Sequence, residues 1–124
     1  MVLSNIVFAG TIDTQYEQAK SEFNVLKSLW EKEIPKYSSN TEDYWKGDAG
    51  KAILKMGKRA LPFVFEEILK FNFLFNVAAE QITQIHPTGK AGYSEQTKDE
   101  FWIKWWHDNK NNPEWNIYLN QSSK

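Results

Sequence analysis

The chain has 124 residues, no cysteine, 15 basic and 16 acidic side chains and a formal net charge of −1. Such a length favours one domain, 1–124, that buries its own core without a covalent or metal staple. The missing thiols exclude disulfides, zinc–thiolate sites and cysteine nucleophiles, and the charge balance offers no long-range field to nucleic acid or an anionic membrane.

The N-terminal residues Asn5 to Ile12 are apolar with one glycine, and predict an extended lead-in over 1–12 because no second strand is present to pair with it. No lysine or arginine precedes that run, so it lacks the charged start of a secretory leader, and no window holds 18 apolar residues. The expectation is a cytoplasmic protein without a membrane segment. Asp13 or Thr14 is placed to cap a long helix over 13–34. Tyr16, Ala19, Phe23, Leu26 and Trp30 alternate at three- and four-residue spacing, which makes one apolar stripe. Pro35 ends it.

Ser38 to Thr41 form a loop of capping side chains, and Tyr44 and Trp45 lie in a short helical turn broken at Gly47. Asp48 is placed to cap a helix from Ala49 to Met56, which stops at Gly57 in a left-handed turn. Pro62 suits the first turn of the next helix, where a missing N–H costs little. That helix runs to about Lys70. A fourth helical stretch is predicted over Phe71 to Ile85, apolar on most sides at first and so central in the core. After a loop at His86–Gly92, Ser94 or Thr97 caps the last helix, with Thr97 and Glu100 in capping-box spacing. Asn111-Asn112-Pro113 ends it, leaving a tail over 111–124. The fold class expected is all-α, a bundle of about five helices.

Catalytic and ligand motifs are weak. Gly47-Asp48-Ala49-Gly50-Lys51-Ala52 and Gly89-Lys90-Ala91 resemble fragments of a phosphate loop. They lack the earlier glycine and the hydroxyl after lysine that hold phosphate and magnesium. His86 and His107 have no second histidine at helical spacing, so no two-histidine metal face forms. Adjacent carboxylates at Glu42-Asp43, Glu66-Glu67 and Asp99-Glu100 diverge on a helix. No catalytic residue, metal ligand or cofactor is assigned.

The chain carries six Trp, five Tyr and eight Phe, enough rings either to fill a core or to anchor a partner. The densest cluster is Phe101-Trp102-Ile103-Lys104-Trp105-Trp106. No single inward stripe holds all of it. Trp102, Trp105 and Trp106, with Trp115 and Tyr118 from the tail, are therefore the candidate partner-binding residues, against the plainer reading of a wide core face. Lys51, Lys55, Lys58 and Arg59 make a candidate basic patch.

Residues Tyr37-Ser38-Ser39-Asn40-Thr41, Ile53-Leu54-Lys55-Met56-Gly57, Ala60-Leu61-Pro62, Ile68-Leu69 and Trp102-Ile103-Lys104-Trp105-Trp106 carry a resemblance. The chain resembles a family of small bacterial helical proteins related to HEAT-like helical hairpins, which would place such a region over 39–110. Members carry His-Pro-Ala-Tyr-Gln where this chain has Lys46 to Lys51, and His-Trp-Phe-Trp-Ala-Leu where it has Asn72 to Val77, so functions tied to those positions do not carry over. The resemblance implies an interaction scaffold rather than an enzyme. The function expected is a non-catalytic protein–protein interaction module in a bacterial defence, toxin-neutralising or mobile-element system. Its partner would be another protein or a second copy of the chain. One rival is a small enzyme with a polar cleft near Tyr44, Glu80 and His86. The other is nucleic-acid binding through Lys51, Lys55, Lys58 and Arg59.

Overall fold

The computed structural model describes residues 12–87 and 95–119. Among them the chain is all-α. Helix α1 spans Ile12–Glu33, α2 Asp48–Met56, α3 Leu61–Leu69, α4 Phe75–Thr83 and α5 Glu95–Asn109, with tighter 3-10 turns at Thr41–Trp45 and Gly57–Ala60. Helix α1 lies against α2, while α3 packs on both α4 and α5. The lead-in before Ile12, the Gly89-Lys90-Ala91 segment, the Ser94 cap and the Thr97 side chain of the capping box lie outside the described residues.

The α1 stripe buries as its spacing predicts. Ala19, Phe23 and Trp30 are in the core, and Tyr16 and Leu26 pack beside it. Phe23 meets Phe63 of α3 and Phe75 of α4, and Trp30 stacks on Trp45 at 5.1 Å. Because α1 begins at Ile12, Asp13 and Thr14 sit in its first turn rather than before it.

Three local expectations are corrected. The first is the cap of α2. Asp48 is the first residue of that helix and makes no cap. Glu33, at the end of α1, reaches across instead, and its carboxylate accepts from the N–H of Ala49 at 3.0 Å and of Gly50 at 2.8 Å. An anion at a helix N-terminus satisfies orphan donors and complements the dipole. A Cβ at Gly47 would run into that carboxylate. The second concerns Gly57, whose φ of 61° with ψ of −137° lies outside the left-handed helical region, in territory open chiefly to glycine. The chain thereby passes straight into a further 3-10 turn and then α3, with Pro62 in its first turn.

The third correction bears on function. Residues 71–74 are not helical, and α4 begins only at Phe75. Helix α3 ends in a Schellman motif. The Asn72 N–H donates to the Glu67 carbonyl at 3.0 Å and the Phe71 N–H to the Ile68 carbonyl at 2.8 Å. The position that glycine usually takes in this motif is held by Phe71, at φ 66°. The apolar contact that commonly completes the motif is replaced by a polar one, since Asn72 Nδ2 donates to Glu67 Oε1 at 3.2 Å. Glu67 is itself buried and pairs with Lys27 of α1 at 2.8 Å, so the turn is anchored to two helices.

Candidate functional site: an aromatic corner

The tryptophan-rich helix is core. Trp102 is 0 % exposed and Trp106 9 %. Phe65 of α3 stacks on Trp106 at 4.7 Å and also meets Trp102 and Trp105. The half-buried Trp105 is covered edge-on by Trp115 at 5.1 Å. The tail folds back to supply that cover through two Asn-centred turns, in which Asn112 and Asn116 side chains accept the N–H of Glu114 and Tyr118. Tyr118 is buried, donates its hydroxyl to the Arg59 carbonyl at 2.7 Å and meets Tyr16 edge-on. Burial pushes its phenol up to about 12. Trp102, Trp106 and Tyr118 are therefore buried in this structure, whereas Trp105 and Trp115 are half-buried. Phe65 of α3 and Trp115 of the tail both cover this cluster, so rings that no single stripe could bury are still covered.

The basic patch is divided. Arg59 pairs with Glu22 of α1 at 2.6 Å. Lys58 donates to the Glu114 carbonyl at 2.7 Å and sits over the Trp115 ring at 4.7 Å, so its work is to pin the tail. Lys51 and Lys55 are exposed on α2. The phosphate-loop resemblance at Gly47–Ala52 has a specific obstacle, because the N–H groups an anion would use are taken by Glu33.

The enzymatic trio does not assemble. Glu80 lies 3.3 Å from His86 and 3.3 Å from Lys98, whereas Tyr44 donates to the Ser38 carbonyl at 3.4 Å and lines a separate cleft. Hydrogen bonds from Lys46 and Ser38 hold the nearby Asp43 carboxyl below its usual range, the opposite of tuning for proton transfer near neutral pH. Among the described residues no three His, Asp or Glu side chains converge to hold a metal ion.

The structure brings Tyr44, named above only for the rival enzymatic cleft, to one cleft with Phe73, which the sequence reading did not single out. Tyr37, Tyr44, Phe71 and Phe73 have no ring neighbour, whereas every other described ring packs on at least one more, from the Tyr16–Phe63 pair to the Trp105–Trp115 pair. All four belong to the segments 37–44 and 71–73. Tyr37 is 88 % exposed, Phe71 76 % and Phe73 44 %. Phe73 and Tyr44, with Ser38, Ser39, Asn40, Thr41 and Leu74, line a cleft of ≈ 530 Å³.

The two segments are held by the core beneath them. Trp45 Nε1 donates to the Leu74 carbonyl at 2.9 Å, and Trp30 Nε1 to the Tyr44 carbonyl at 2.7 Å. Asn40 caps the 3-10 turn through Oδ1 and the Glu42 N–H at 2.9 Å. Turns positioned in this way by a packed core are where binding residues concentrate. Phe71 and Phe73 escape a sequence reading because the apolar run Phe71–Phe75 imitates a buried helix and the turn before it contains no glycine. The one available signal is Asn72, a polar break right after the α3 pattern.

No family model matches the chain, and neither a curated protein nor a solved structure matches it.

Proposed function

We propose that the protein is a non-catalytic interaction module whose partner docks on the corner formed by Tyr37, Tyr44, Phe71 and Phe73. The observation that carries this reading is Phe71. A phenylalanine at positive φ is sterically costly, and its ring, 76 % exposed, returns little packing to the fold. Strained residues of this kind persist where surrounding structure over-determines them, and they concentrate at binding sites. Here Glu67, Asn72 and the helix-end hydrogen bonds supply that determination. The resemblance to HEAT-like hairpins, which act as scaffolds, supports the same reading.

Affinity capture from native-host extract, with the chain as bait, tests it. The wild-type chain should retain one stoichiometric partner, and Tyr37→Ala combined with Phe71→Ala should lose it at unchanged thermal stability. Capture that survives the double substitution places the docking surface elsewhere.

A further inference from the structure

The end of α3 brings an amine and a carboxamide onto one buried carboxylate. Glu67 is 5 % exposed, and its two oxygens hold different groups. Oε2 accepts from the Lys27 ammonium of α1 at 2.8 Å, and Oε1 accepts from the Asn72 amide at 3.2 Å. Lys27 lies 40 positions from Glu67, so only the fold assembles the three. Asn72 owes its place to the Schellman turn, in which Phe71 takes φ 66°. An ion pair between Lys27 and Glu67 needs no amide on the second oxygen, and such a turn ordinarily closes on an apolar contact. Lys70 also approaches Oε2, but at 3.7 Å and with its side chain 67 % exposed, against 24 % for Lys27.

An amine and a carboxamide held by one carboxyl group are the reactants and the proton carrier of an intramolecular transamidation. A general acid–base acts on protons whose heavy atoms lie within about 2.6–3.2 Å, and both bonds of Glu67 fall in that range. Holding the two reactants together in this way removes the entropy of bringing them together. We propose that the chain joins Lys27 to Asn72 through an isopeptide bond, with Glu67 as the proton relay. Glu67 takes a proton from the Lys27 ammonium. The freed amine, carried by its flexible stem, attacks Cγ of Asn72, and the Nζ–Cγ bond forms. The Cγ–Nδ2 bond breaks as Glu67 passes protons from Nζ to Nδ2. Lys27 gives up two protons in all, Nδ2 leaves as ammonium, and Glu67 ends as it began. No oxidant, reductant or cofactor is consumed. The product ties α1 to the turn between α3 and α4 and closes a covalent loop that restricts the unfolded chain. The inference goes beyond the docking reading and does not depend on it.

The test is mass spectrometry of the purified full chain, intact under denaturing conditions and after tryptic digestion. The wild-type chain should be lighter than its sequence by one ammonia. Its digest should contain a branched peptide that joins the Lys27 and Asn72 segments and is uncut after Lys27. Lys27→Arg keeps the charge and cannot form the bond, Asn72→Ala removes the acceptor, and Glu67→Gln removes the relay. Each should keep the full mass and lose the branched peptide, whereas Lys70→Ala should cross-link as the wild-type chain does. Circular dichroism reports whether each variant folds. Should Glu67→Gln fail to fold, Lys27→Arg and Asn72→Ala carry the same comparison. A wild-type chain of full mass overturns the inference. So does an ammonia loss that survives in Lys27→Arg, because an asparagine closing on its own backbone to a succinimide loses the same mass. Cross-linking to the wild-type extent in a folded Glu67→Gln variant overturns the relay.

Discussion

Two regions of this molecule are built from the same kind of side chain and pack it in opposite ways. Helix α5 gathers Phe101, Trp102, Trp105 and Trp106, and each has a ring against it. The segments 37–44 and 71–73 carry Tyr37, Tyr44, Phe71 and Phe73, and none of these has a ring against it among the described residues. What separates them is the surrounding backbone. Around α5, Phe65 of helix α3 and Trp115 of the returning tail pack on its rings. At the corner, the rings of Tyr37, Phe71 and Phe73 are left exposed, while Tyr44 is half-buried against the core. Aromatic density in a sequence therefore marks neither core nor interface. The geometry of the neighbouring elements decides.

The sharpest way to break that comparison is to truncate one ring from each region. Trp102→Ala removes a fully buried indole and should cost about 3–5 kcal/mol in urea unfolding, the usual range for such a deletion. Phe73→Ala, with its ring partly in solvent, should cost about 1 kcal/mol or less. Equal losses would mean that the two regions are not different in kind.

A smaller effect tests how the corner is supported. Glu33 holds the first N–H groups of α2, just beyond the corner's 3-10 turn. Glu33→Ala should cost about 1–2 kcal/mol, as for loss of a helix cap. It should also speed hydrogen exchange at Ala49 and Gly50 while leaving α5 protected. Unchanged exchange there would show that the carboxylate is not what orders the start of α2.

Periodicity reveals what it can reveal. The stripe Tyr16–Ala19–Phe23–Leu26–Trp30 buries one face of α1, and Gly57 and Pro62 mark the passage from α2 to α3. The cap on α2 is hidden because the carboxylate that makes it lies 16 and 17 residues before the N–H groups it accepts from, and local spacing rules credit Asp48 instead. The corner is hidden because its defining turn has phenylalanine where glycine is the readable sign. The tail's role is half visible. Trp115 and Tyr118 stand out in a polar segment, and only the fold shows that Trp115 packs on Trp105 and Tyr118 bonds the Arg59 carbonyl.

Titration gives a third way to separate the regions. Burial raises the Tyr118 phenol from 10.0 to about 12. The neutral phenol is thus favoured in the folded chain. Its contribution to stability is complete below the unfolded value and is lost as pH rises through the folded one. The urea midpoint should fall between about pH 10 and 12. Tyr118→Phe should flatten that fall and should cost about 1 kcal/mol at neutral pH through the lost bond to the Arg59 carbonyl. An alkaline fall that is the same in the wild-type chain and in the Tyr118→Phe variant would assign it to other groups.

The smallest expected change has the opposite sign. At φ 66° a residue with a Cβ costs about 1–2 kcal/mol, and Phe71→Gly relieves that cost. Glycine adds freedom to the unfolded chain worth about 0.5–1 kcal/mol. The exposed ring has little packing to lose. The net expectation is a gain of about 0.5–1 kcal/mol in urea unfolding, whereas Phe71→Ala keeps the strained backbone and should be nearly neutral. If Phe71→Gly destabilises, the ring contributes to the fold and the corner is structural. If it stabilises and the partner is lost, Phe71 serves contacts outside this chain at the expense of the stability within it.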